Sequence, residues 1–76
     1  MSTYYQTLRT SFDYLAPDTL VSVITDTVTW NGSNAALATD IRNAAWAALL
    51  ANAGAEEAIE LIMDAGLTQE DVEDAS

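Results

Sequence analysis

Four interruptions cut this chain into short segments, and each segment carries the apolar spacing of a helix. Pro17, the run Asn31-Gly32-Ser33-Asn34, Gly54 and Gly66 stand at the breaks. Proline drives the residue before it out of the helical region, and glycine reaches backbone conformations that other residues avoid. The first segment predicts a helix over about 3–16. There Tyr4, Tyr5, Leu8, Phe12 and Leu15 fall on one arc, with Gln6, Arg9, Thr10 and Asp13 opposite. Thr3 and Gln6 have the spacing of a capping box, and Pro17 is expected to end the helix.

The segment 18–30, DTLVSVITDTVTW, sets period against propensity. Its Val, Ile and Thr content favours a strand. On a helical wheel Leu20, Val21, Val23, Ile24, Val28 and Trp30 share one side, whereas a strand would interrupt its apolar face with Ser22 and Asp26. Helix is the preferred reading, because a lone strand finds no partner elsewhere in the chain. A strand here would make the fold α+β. Ser33 or Asn34 is placed to cap a third helix over 35–53. The second half of that helix is apolar all round, with Trp46 nearly opposite Leu37 and Leu49 and Leu50 beside it, which marks a buried, central element. A fourth helix spans about 55–65, with Ala58, Ile59, Leu61, Ile62 and Met63 on its apolar side. Gly66 is a natural left-handed stop, and Thr68 can cap a last short turn with Asp71 in the N3 position and Val72 facing inward. The expected architecture is therefore all-α: one acidic helical domain over 1–76, built as a compact bundle of about four helices plus a short C-terminal turn.

Composition removes most chemistry. The chain has 76 residues, no Cys and no His. That leaves no disulfide framework, no thiolate metal site and none of the commonest general base. Asp and Glu can hold Ca²⁺ or Mg²⁺, but DAGLTQEDVEDA (64–75) carries its acids and glycine out of register with a calcium-binding loop. The Ser and Thr hydroxyls lack a partner base, and there is no glycine-rich phosphate loop. The expectation is a protein that is not an enzyme and uses no metal or cofactor. The longest apolar run, AAWAALLA (44–51), is too short to cross a bilayer, and MSTYYQTLR lacks the pattern of a secretory signal, so a cytoplasmic location is expected. Length, acidity and helicity resemble an acyl carrier protein. The nearest counterpart of that family's Asp-Ser-Leu motif is Asp18-Thr19-Leu20, where Thr replaces the arm-bearing Ser and the motif stands too early in the chain.

Charge is what remains. Twelve acids stand against Arg9 and Arg42, with no Lys, for a formal charge of −10. Residues 1–55 carry four acids and both arginines, a net of −2, while residues 56–76 carry eight acids and no base, a net of −8. Direct binding to nucleic acid or an anionic membrane is disfavoured, and basic partners are favoured. Glu56, Glu60 and Asp64 repeat every four residues, about 6 Å apart along a helix. With Glu57 they place one charge per roughly 4 Å, against about 1.7 Å in duplex DNA. Glu70, Asp71, Glu73 and Asp74 would raise that density if they fold alongside.

Three readings account for the acids: an ordinary solvated face, an interface for a basic partner, and adaptation to high salt. Tyr14 lies off the main stripe of the first helix and Trp30 at a helix end, where either can anchor an interface. The expected function is a protein–protein interaction module that sets Glu56, Glu57, Glu60, Asp64, Glu70, Asp71, Glu73 and Asp74, with Tyr14 and Trp30, against a basic protein surface such as that of a nucleic-acid-binding protein. Small, lysine-poor, acidic helical proteins of this kind resemble phage-encoded inhibitors, including DNA mimics and some anti-CRISPR proteins, in size and charge. The alternative is a small structural subunit of a virion or larger complex, held by apolar contacts, with the region around Trp46 as a homodimer seam.

Overall fold

The most apolar segment becomes the axis of the molecule. In a computed structural model that describes residues 3–73, with side chains from 5 to 72, the element order is α1 (Thr3–Phe12), α2 (Pro17–Val28), α3 (Ala35–Ala53), α4 (Ala55–Asp64) and α5 (Gln69–Glu73). There is no strand among the described residues, and the fold is all-α. α3 packs against all four other helices. Its buried positions Ala38, Ala44, Ala45, Trp46, Ala48 and Leu49 spread over roughly 200° of its circumference. Ala44, Ala45 and Ala48 are wholly covered, so neighbouring backbones approach closely there. Trp46 is only 7% exposed within one chain. Covering it therefore requires no second copy.

α2 resolves the conflict between period and propensity. Leu20, Ile24 and Thr27 are its buried residues, spaced i, i+4, i+7, and Leu20 and Ile24 join the same core as Leu49, Ala58 and Ile62. Burial along a helical stripe outweighs the β preference of Val, Ile and Thr, which was never more than a fraction of a kcal/mol per residue. The threonines are accommodated by bonding back to the helix. The Thr27 hydroxyl donates to the Ile24 carbonyl at 2.8 Å, and the Thr25 hydroxyl to Val21 at 2.9 Å. Thr27 is thus a buried polar residue with its hydroxyl satisfied.

The breaks act with some differences from expectation. α1 stops at Phe12, not at 16: Tyr14 and Leu15 bond to carbonyls three residues back, tightening the last turn. Pro17 does not end α1. It opens α2 as its first residue, behind an extended Ala16 (φ −68°, ψ 153°), where its missing N–H costs nothing. The side chain of Thr3 lies outside the described residues. Asn34 occupies the N-cap position of α3 in the left-handed region (φ 64°, ψ 50°), yet its side chain caps nothing. Its carbonyl instead accepts the N–H groups of Leu37 and Ala38.

The C-terminal stops form as the sequence implies. The Leu67 N–H reaches the Ile62 carbonyl at 2.9 Å and the Gly66 N–H reaches Met63 at 3.0 Å, the paired bonds of a Schellman motif around Gly66 at φ 86°. Thr68 and Asp71 form a reciprocal capping box. The Asp71 carboxylate accepts the Thr68 N–H at 2.9 Å, and the Thr68 hydroxyl accepts the Asp71 N–H at 3.3 Å. Val72 is buried beneath it. Among the described residues no helix is long and apolar enough to cross a membrane.

One residue separates α3 from α4. Gly54 donates its N–H to Leu50 and accepts the N–H of Ala58, so it closes α3 and opens α4 at once. Its φ of 86° and ψ of 158° fall where only glycine is comfortable. A Cβ there would meet nothing within 4 Å, so the penalty for a side chain is conformational and not steric. Gly54→Ala should therefore cost about 1–3 kcal/mol, a large share of the roughly 4–11 kcal/mol expected for a chain this long. Urea unfolding followed by circular dichroism measures this; an unchanged midpoint would contradict the assigned backbone conformation.

Candidate functional site

α4 is held by a narrow apolar stripe, and that stripe dictates where its acids point. Ala58 and Ile62 are wholly buried, with Ile59 and Leu61 half-buried on either side. Glu56, Glu57, Glu60 and Asp64 are all exposed. By the helical period they occupy an arc of roughly 100° centred opposite the Ala58–Ile62 stripe. Met63, expected on the apolar side, is 62% exposed. It lies between Ile59 and Glu56 around the helix, outside the buried stripe. The result is a ridge of four carboxylates flanked by one apolar side chain.

The second group of acids divides. Glu70 and Asp71 are exposed on α5. Asp71 also holds the capping box that starts α5, so its carboxylate has a structural task as well as a charge. The side chain of Glu73, and Asp74 altogether, lie outside the described residues.

Both cations are committed elsewhere. Arg9 of α1 pairs with Asp13, the residue just past the end of that helix. The Arg42 guanidinium donates to the Thr27 carbonyl at 3.4 Å, at the C-terminal end of α2, where a cation also meets the negative end of the helix dipole. Among the described residues no ion pair joins the acids of α4 or α5 to a cation. The local role of Arg42 was not apparent from the sequence, since its acceptor is fifteen residues away in the chain.

The aromatic candidates are separated from each other. Tyr14 is 87% exposed, in the turn between α1 and α2. Asn52 donates its side-chain amide to the Asp13 carbonyl at 3.3 Å, which pins that turn beside the end of α3 from which α4 departs. Trp30 is 43% exposed at the other end of α3, and its indole N–H donates to the Ser33 carbonyl at 2.9 Å. The nineteen residues of α3 make it about 28 Å long. Tyr14 is therefore placed near the start of the acidic ridge, while Trp30 belongs to a different region of the surface.

Nothing about this arrangement resembles paired acids across a cleft. A shallow depression of about 330 Å³ lies on α1 and is lined by Gln6, Thr7, Thr10 and Ser11, without an acid or a base. Among the described residues no group of three or more Asp and Glu is arranged to hold a metal ion. What the ridge can do is present fixed negative charge in a row.

The two roles of acids on α5 are separable. Asp71→Ala should destabilise the fold by about 0.5–2 kcal/mol through loss of the cap, whereas Glu70→Ala should change stability by no more than about 0.5 kcal/mol. Paired denaturation curves test this. Equal effects would mean that the cap contributes nothing.

No protein-family model, no curated protein and no solved structure matches this chain, so the site is read from its own residues and geometry.

Proposed function

We propose that this chain is a non-enzymatic protein-interaction module whose α4 presents Glu56, Glu57, Glu60 and Asp64 to a basic surface on another protein. The observation that carries this reading is the exposed ridge itself: four carboxylates on one face, with no ion pair from either arginine to them among the described residues. Alone, the ridge carries less than half the charge density of duplex DNA, so inhibition by mimicry of a nucleic-acid backbone is the finer form of this proposal and requires the acids of the C-terminal turn to extend the ridge. The resemblance to phage-encoded inhibitors, anti-CRISPR proteins among them, supports the same reading through size and charge. Tyr14 at the near end of the ridge supplies an aromatic contact of the kind that anchors interfaces.

Plain solvation of the acids competes with this reading, because like charges at i, i+4 cost only about 0.2–0.5 kcal/mol per pair. The lopsided distribution favours a partner: the eight acids from Glu56 onward have no base among them, where a surface serving folding alone would mix signs. Among the described residues, the large exposed apolar side chains that a structural subunit could use are Tyr14, Trp30 and Met63, since Trp46 is already covered.

The test is a triple substitution, Glu56→Gln with Glu60→Gln and Asp64→Asn, which lowers the formal charge from −10 to −7. Removing the like-charge pairs Glu56/Glu60, Glu60/Asp64 and Glu57/Glu60 while giving up one favourable first-turn glutamate should leave stability within about 0.5 kcal/mol or slightly raise it. Affinity capture from a cell extract at two salt concentrations should show basic proteins retained by the parent chain, weakened as salt rises, and lost with the triple variant. Capture of the same proteins by both chains, insensitive to salt, would overturn the acidic-ridge reading and favour the apolar subunit.

A further inference from the structure

The loop between α2 and α3 carries a chemistry unrelated to the acids. Asn31 is followed by Gly32, and both residues are exposed and outside any helix. Among the described residues neither the Asn31 carboxamide nor the Gly32 N–H has a hydrogen-bond partner. The segment is tethered only at its flanks. Trp30 donates its indole N–H to Ser33 across it, and the Trp30 N–H bonds to Thr27.

We infer that Asn31 is a site of self-catalysed deamidation. The Gly32 backbone nitrogen loses its proton and attacks the side-chain carbonyl carbon of Asn31. A carbon–nitrogen bond forms, the bond to the side-chain nitrogen breaks, and ammonia leaves with the proton it needs. The product is a five-membered succinimide. Water then opens the ring at either carbonyl. One opening gives Asp with the normal main chain, and the other gives isoaspartate, in which the chain runs through the former side chain and gains a methylene. No redox partner is needed, and water is the co-reactant.

The fold singles out this asparagine. The reaction needs a following residue without a Cβ to crowd the attack, and a backbone free to bring that nitrogen onto the side chain. Asn34 precedes Ala35, and its own backbone is fixed by the bonds its carbonyl accepts from Leu37 and Ala38. Asn43 and Asn52 lie inside α3, each followed by alanine, where helical geometry holds the next nitrogen away. Asn52 is further tied by its side-chain bond to Asp13. Only Asn31 combines exposure, an untied backbone and a glycine.

Either product adds one negative charge to the formal −10 and places it beside exposed Trp30. The isoaspartyl product also lengthens the main chain inside the span closed by the Trp30–Ser33 bond, so that bond should be lost. The acidic character of the protein thus grows with age at a site remote in sequence from α4.

The purified chain, incubated in mildly alkaline buffer alongside a synthetic peptide containing Trp30 to Asn34, provides the test. Ion-exchange separation and peptide mapping by mass spectrometry should show a more acidic species, with the carboxamide of Asn31 converted to a carboxylate and isoaspartate exceeding aspartate. The Gly32→Ala chain is the control. Its added Cβ would meet the Trp30 indole nitrogen at 3.8 Å, an ordinary contact, so it should fold normally and lose most of the conversion. Three results would each overturn the assignment: Asn31 intact while the peptide converts, equal conversion in Gly32→Ala, or conversion mapped to Asn34, Asn43 or Asn52 instead.

Discussion

A helix that is apolar around most of its circumference must be covered on most sides, and the rest of this structure follows from covering α3. The other helices are too short to form cores of their own, and each contributes one stripe: Leu20 and Ile24 from α2, Ala58 and Ile62 from α4, Val72 from α5, with Phe12 of α1 packed alongside. Alanines at 44, 45 and 48 set how closely these neighbours come, and larger residues there would overpack the core at a cost of about 1–3 kcal/mol each. Trp46 fills the broad remaining space. With α3 enclosed, Glu56, Glu57, Glu60, Asp64, Glu70 and Asp71 are turned outward without further instruction.

The direction of that outward face depends on two glycines. At Gly54 the backbone takes a conformation that ends one helix and begins the next within a single residue, and α4 consequently lies on α3 instead of prolonging it. At Gly66 the chain folds back so that Leu67 and Val72 close the base of the core. The acidic ridge is therefore a product of turn chemistry as much as of charge. Had α3 and α4 been one helix, the same acids would project into solvent on a rod with no core beneath them.

Electrostatics and packing are largely decoupled in this protein. The two arginines serve the ends of α1 and α2, one paired with Asp13 just past α1 and one at the C-terminal end of α2. Neither offsets the acids of α4 and α5. The ridge has a single exposed methionine, Met63, near its far end, while the Tyr14 turn is pinned by Asn52 near the end from which α4 starts.

Much was readable in the chain before folding. The bounds of α3, the inward stripe of α4, the stop at Gly66 and the cap made by Thr68 and Asp71 all follow from period and turn residues, because those signals act between residues a few positions apart. The exposure of Glu56, Glu57, Glu60 and Asp64 follows for the same reason. Other features depended on residues distant in sequence. Whether 18–30 became helix or strand was decided by the apolar face of α3 waiting for Leu20 and Ile24. Where α1 stopped was decided by how Leu15 and Pro17 had to turn the chain back toward that core. The burial of Thr27, the exposure of Met63 and the placing of Tyr14 and Trp30 at opposite ends of α3 were likewise tertiary outcomes. Local sequence determines which side of a helix is apolar; only the assembled neighbours determine how much of that side they reach.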